Sequence, residues 1–174
     1  MTLMSTPSIL VYRLIKERFL STPLSAEGSR RWGGRWNPPG RYAGAVGVLY
    51  TSASPELTLL EQLVHLPTMP YDDLPRLCLL TLSLPEQPRI LAPYELPANW
   101  REEADFSANH ARLADWLRNP DVLAIGVPSA VVSESLNYLL HPQHPIFAGV
   151  AVLHSKPFPV DPRLWRSRFP EEGT

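Results

Sequence analysis

The sequence predicts one α+β domain over residues 1–174, with short strands in mixed or antiparallel sheets and flanking helices. Three observations carry this expectation. Apolar runs of strand length outnumber helical patterns, and they do not alternate with long helices as a doubly wound fold requires. Proline supplies 20 of the 174 residues, about twice ordinary usage, and is spread along the chain as punctuation that keeps elements short. No repeat and no linker-like stretch divides the chain, whose length is that of one domain.

Ile9 to Ile15 (ILVYRLI) reads as a buried strand carrying one charge, and Val46 to Tyr50 (VGVLY) as the next. A Gly/Pro/Arg/Trp loop joins them. Ser54 is placed as an N-cap with Pro55 at the first helical position, opening PELTLLEQLVHL, which Pro67 ends. Arg76 to Leu84 reads as a strand and Arg89 to Leu91 as a short extension. Ser107 to Arg118 has a helical pattern that stops before Pro120. Val122 to Val132 resembles two short strands broken at Pro128, Glu134 to Leu140 a short helix, and Phe147 to Leu153 a last strand.

Composition excludes several classes of function. With 44% apolar and 19% charged residues and a net charge of -1, the chain is neither disordered nor a broad electrostatic partner for nucleic acid or anionic lipid. A single cysteine, Cys78, gives no intramolecular disulfide and no cysteine-rich zinc site, which fits a reducing cytoplasm. The N-terminus has no signal-peptide pattern, and no apolar run approaches membrane-spanning length. Of the 16 basic residues, only Lys16 and Lys156 are lysines, a bias towards the planar fork that grips phosphate or carboxylate, though high-GC coding gives the same bias.

Residues 29–44 (SRRWGGRWNPPGRYAG) gather Arg30, Arg31, Arg35 and Arg41 with Trp32, Trp36 and Tyr42, and contain no acid. Gly33 and Gly34 allow positive φ and close backbone approach, so an anionic ligand is one expectation. A solvated basic loop pinned by its indoles, or a nucleic-acid contact with bases stacked on the rings, fits the same residues. Arg13 sits inside an apolar strand with apolar face-mates Val11 and Ile15, so it needs either an acidic core partner or an anionic ligand. Glu61 falls at the edge of a helix stripe formed by Leu57, Leu60 and Val64, which turns a carboxylate towards the interior, or places it at a surface boundary. Ser129 follows Pro128 in a turn without a Gly-x-Ser-x-Gly elbow, which favours a turn cap or a ligand hydrogen bond over a serine nucleophile. His141 and His144 have a spacing open to metal, but HPQHP offers no further ligand.

Taken together, VYR (11–13), RRWGGRWNP (30–38), LYTS (49–52), LLEQLVH (59–65) and VPSAVVSESLNYLLHPQHP (127–145) resemble the RES-domain family, toxins of toxin–antitoxin pairs named for polar Arg, Glu and Ser positions. His141 departs from the Asn expected there before Pro142. The resemblance implies a compact domain similar to ADP-ribosyltransferases that consumes NAD⁺ as substrate, with no cofactor and no metal, by breaking the nicotinamide–ribose bond. The acceptor would be water, phosphate or a protein side chain. Carried onto the matching positions, Glu61, Arg13 and Tyr50 would be catalytic, and Arg35, Ser129 and Asn137 would bind NAD⁺. An Xre-like helix-turn-helix antitoxin would be the partner, with a toxin homodimer inside a larger complex and no direct nucleic-acid or membrane contact. A reading of another class is a non-catalytic module that holds a nucleotide or RNA in the Arg/Trp loop.

Overall fold

The computed structural model describes residues 9–165 except Ala43. Residues ahead of Ile9, where the absence of an export signal was expected, lie outside the described residues. Among the described residues seven strands form one sheet, and every pairing is antiparallel except one. The strands are β1 (Ile9–Lys16), β2 (Leu49–Ser52), β3 (Leu77–Leu84), β4 (Arg89–Ile90), β5 (Ala124–Pro128), β6 (Leu136–Leu140) and β7 (Ala151–Pro157), in spatial order β4-β5-β6-β2-β1-β3-β7. The parallel pair is β4 with β5. Three helices accompany them: α1 (Glu27–Trp32), α2 (Pro55–His65) and α3 (Ser107–Arg118). The expected mixed sheet with flanking helices is what the chain builds.

Facing residues in paired strands share one side of the sheet, so the registers divide the core in two. Val11 and Ile15 of β1 stand opposite Leu82 and Cys78 of β3 and pack with Leu49 and Leu140 on one side. On the other side, Leu14 and Leu79 bury against Leu63 and Leu66 at the end of α2. On that same side, Ile125 and Leu139 bury against Leu113, Trp116 and Leu117 of α3. Both long helices therefore cover one face.

The α2 start is as expected: the Ser54 hydroxyl accepts from Leu57 N at 3.1 Å, with Pro55 in the first turn. Such a cap contributes about 1 kcal/mol. The stripe is not as expected, because Leu60 and Val64 are exposed while Leu57, Thr58 and Leu63 are buried. Glu61 consequently borders a cavity rather than the dry core.

Several elements differ from expectation. Residues 136–140 are a central strand, not a helix, because Leu136–Leu140 pairs with β2 on one side and β5 on the other. Sheet pairing on both edges outweighs the local helical tendency of Leu and Asn-Tyr-Leu-Leu. The expected strand after Pro128 is a turn, held by the Ser129 hydroxyl accepting from Val131 N and Val132 N. The second strand lies at 49–52 rather than 46–50, and the last at 151–157, after a 3-10 turn over Phe147–Gly149. Helix α1 falls in the stretch expected to be loop, closed by Gly33 at φ +73°. His141 is fully buried; its Nδ1 accepts from Gln143 N, so Nε2 carries the proton and donates to Leu117 O at 3.1 Å. With both ring nitrogens used and burial pushing its pKa down, His141 is a structural residue. Among the described residues no cluster of His, Cys, Asp or Glu could hold a metal ion, and no helix is long and apolar enough to cross a membrane.

Candidate active site

Strands β1 and β2 share a single register position, Tyr12 opposite Ser52. Where they part, a cavity of about 1470 Å³ takes in Arg13 and Leu14 from one strand and Tyr50, Thr51 and Ser52 from the other. Helix α2 lines it through Glu61, and the start of α3 through His110. Arg13, Arg35, Tyr50, Glu61 and Asn137 all border this space. Ser129 lies behind it, fully buried.

The carboxylate of Glu61 is held by two donors on one oxygen. Ser129 Oγ donates to Oε1 at 2.7 Å, and Asn137 Nδ2 donates to the same oxygen at 2.5 Å. Among the described residues Oε2 has no hydrogen-bond partner, so one carboxylate oxygen is fixed and the other is unengaged on a side chain that lines the cavity. The network orients itself: a carboxylate only accepts, so the amide nitrogen of Asn137 must face Glu61. The Asn137 Oδ1 then accepts from Ser52 Oγ at 2.7 Å. Sheet register explains the meeting, since Ser52 stands opposite Asn137 on the face that α2 covers. Ser129 uses its one donor on Glu61 and its two acceptor sites on Val131 N and Val132 N, so its hydrogen-bonding capacity is spent inside the protein. It is both the turn cap read from the sequence and the anchor of Glu61.

Among the described residues Arg13 has no acidic partner. Its Nη2 donates to Ser25 O at 3.2 Å, while Nε is buried without a hydrogen bond. Desolvation pushes its pKa down to about 10. Of the two alternatives the sequence left open, the core ion pair is absent among the described residues, and the guanidinium remains available to an anion in the cavity.

Arg35 is tied more tightly. Its Nη1 donates to Trp100 O at 3.0 Å and Glu102 O at 3.1 Å, its Nη2 is 3.9 Å from the Glu103 carboxylate, and it lies over the Phe106 ring at 4.8 Å. Desolvation lowers its pKa, with Glu103 and then Glu61 opposing that shift. Of the other arginines of the loop, Arg41 also lines the cavity and lies over Tyr42, whereas Arg30 pairs with Glu27 and Arg31 lies over Trp32. Trp36 is the pin, buried and stacked on Trp100 at 6.2 Å, whereas Trp32 is 74% exposed.

The Tyr50 phenol donates to Asn37 Oδ1 at 2.8 Å and accepts from Trp36 N at 3.2 Å, and burial raises its pKa above the ordinary range. Gly34 is required beside it, because a Cβ there would stand 2.5 Å from the Tyr50 hydroxyl oxygen. Sequence reasoning missed Ser52, Asn37 and His110. Ser52 was within reach of strand parity, two residues from Tyr50 and so on the same face. Asn37 and His110 act through contacts between distant segments, and no local pattern marks them.

The RES domain model matches residues 10–161, nearly the whole described chain. The chain belongs to the RES domain family. The RES domain is 29% identical over 158 residues to "Toxin Res" of Yersinia enterocolitica, covering 90% of this chain and 99% of that protein. It is 32% identical over 145 residues to "Toxin Res" of Pseudomonas putida, covering 82% and 92%. It is 29% identical over 149 residues to the "Prs ADP-ribosylating toxin" of a Sphingobium species, covering 82% and 87%. In fold, this RES domain matches a chain of the crystal structure of the M. tuberculosis MbcT–MbcA toxin–antitoxin complex, with a TM-score of 0.63 and 19% identity over 92% of this chain and 88% of that one.

Proposed function

We propose that this RES domain is the toxin of a toxin–antitoxin pair and that it depletes NAD⁺ by breaking the bond between nicotinamide and ribose, with water or phosphate as acceptor. The observation that carries the proposal is Glu61, which lines the cavity with its carboxylate immobilised through Oε1 while Oε2 has no hydrogen-bond partner among the described residues. Relatives named as toxins support the cellular role.

Nicotinamide in NAD⁺ is already cationic, so the C–N bond breaks with its electron pair returning to the ring nitrogen and no general acid is needed. Positive charge develops on the ribose, as in glycoside cleavage. A carboxylate held by two preorganised donors stabilises that charge without reorganising. Its free oxygen can bond a ribose hydroxyl and then take the proton of an attacking water as the new C–O bond forms. Arg13 and Arg35 would clamp the pyrophosphate, Arg35 through Nε and Nη2 while its Nη1 stays on Trp100 O and Glu102 O. Tyr50 would flank the nicotinamide ribose. Ser129 and Asn137, both of which the resemblance assigns to NAD⁺ binding, instead hold the Glu61 carboxylate.

A protein side chain as acceptor is a second reading, favoured by the Sphingobium relative named for ADP-ribosylation. In either case a cognate antitoxin, an Xre-like protein, would restrain the toxin in the cytoplasm, and a toxin homodimer inside that complex belongs to the same proposal. The test is mass spectrometry of NAD⁺ incubated with the purified chain, with and without inorganic phosphate. Free ADP-ribose identifies hydrolysis, and ADP-ribose-1″-phosphate formed only with phosphate identifies phosphorolysis. NAD⁺ surviving both conditions, and also a cell extract offering protein acceptors, overturns the proposal.

A further inference from the structure

Two neighbouring residues of α3 grip backbone carbonyls that bear on Arg35, one preceding it in the chain and one receiving its guanidinium. His110 Nε2 lies 2.9 Å from Gly34 O, and since a carbonyl only accepts, that nitrogen carries the proton. Asn109 Nδ2 donates at 2.9 Å to Trp100 O, the same carbonyl that takes Arg35 Nη1 at 3.0 Å. We propose that Asn109 and His110 are positioning residues for Arg35: His110 fixes the peptide immediately before it, and Asn109 fixes the carbonyl that receives its guanidinium.

The Gly34 peptide is a sensitive place to hold. Its N–H donates to Asn37 O at 2.9 Å, and its Cα stands so close to Tyr50 that a Cβ would lie 2.5 Å from the phenol oxygen. A shift of Gly34 therefore moves Arg35 and disturbs Tyr50 together. Asn109 adds an independent sign: it is fully buried, yet its Oδ1 has no partner. A core residue kept only for packing would be apolar there, because an orphaned buried acceptor is destabilising. What the asparagine supplies is its donor, aimed at Trp100 O.

The inference rests on the NAD⁺ reading only for its kinetic consequence, so the experiment has one arm without NAD⁺. Wild type, H110A and H110Q are labelled with phenylglyoxal, and Arg35 modification is followed by peptide mass spectrometry alongside NAD⁺ kinetics. H110A should label Arg35 several-fold faster and raise KM for NAD⁺ about tenfold, with kcat changed far less. H110Q, whose amide nitrogen can replace Nε2 as donor, should restore both towards wild type. Should H110A not fold, H110M takes its place as the variant of similar bulk without a donor. Unchanged Arg35 labelling in the donorless variant, or H110Q failing as far as that variant, overturns the proposal. If wild type leaves NAD⁺ intact, the NAD⁺ reading fails, and the labelling arm still decides whether His110 positions Arg35.

Discussion

Ser129 and Glu61, 68 residues apart, meet at 2.7 Å, with the serine donating to the carboxylate oxygen that Asn137 also holds. A turn between two strands and a helix on the opposite chain segment are thus joined through one oxygen atom. The other oxygen is left for chemistry.

Replacing Glu61 by Gln keeps the size and removes the charge. NAD⁺ turnover should fall by about 10²–10³-fold, the usual loss when one preorganised electrostatic partner is removed. Circular dichroism and Tm should show a folded protein, and expression in a sensitive host should no longer arrest growth. Arrest by E61Q equal to wild type would remove the carboxylate from the toxic activity.

Ser129→Ala strips the donor from Glu61 and leaves Val131 N and Val132 N without their shared acceptor. The loss in stability should be about 1–3 kcal/mol by urea unfolding, the cost of orphaning buried polar groups. kcat should fall as well, because Glu61 is released on one side. A variant with full stability and full kcat would make the turn dispensable.

Arg13 separates function from stability. It is half-buried with its Nε buried and unpaired, and removing an uncompensated charge from a partly dry site is frequently stabilising. Arg13→Met should therefore raise Tm or leave it unchanged while raising KM for NAD⁺ at least about tenfold. A sharp fall in Tm would identify Arg13 as a structural residue instead.

Tyr50 gives a pH prediction with a definite sign. Burial raises its folded pKa above the ordinary phenol value. The unfolded chain then loses that proton first, so the associated stability is complete below about pH 10 and is lost as pH rises from there towards the raised value. Tyr50→Phe removes this ionisation, so its stability should decline less steeply than wild type above about pH 10 in denaturant titrations at stepped pH. Equal slopes would mean that the phenol is solvated in the folded protein.

The polar side chains of this site were legible to very different degrees. Arg13 stood out because a charge inside ILVYRLI violates strand patterning, and its face-mates followed from parity. Ser54 and Pro55 announced α2 through capping chemistry that acts within four residues. Glu61 was read as inward-facing for a mistaken reason, since the supposed stripe residues Leu60 and Val64 are exposed. What turns Glu61 inward is the cavity and the donors beyond it, which no helical period encodes. Asn137 was placed on a helix because its neighbours tolerate one, and only pairing of Leu136–Leu140 with two distant strands decides the matter. Arg35 was recognised as a ligand candidate from its glycine-rich setting, but its carbonyl partners at Trp100 and Glu102 come from a segment more than sixty residues away.

In the proposed reaction a carboxylate fixed by Ser129 and Asn137 drives cleavage of NAD⁺. The most direct measurement is the rate of nicotinamide release from NAD⁺ by the purified chain, freed of any bound partner, beside E61Q prepared in the same way. Wild type should release nicotinamide in an enzyme-dependent way, and folded E61Q should lose that release almost completely. Equal release by the two proteins would rule out the carboxylate as the driver of cleavage.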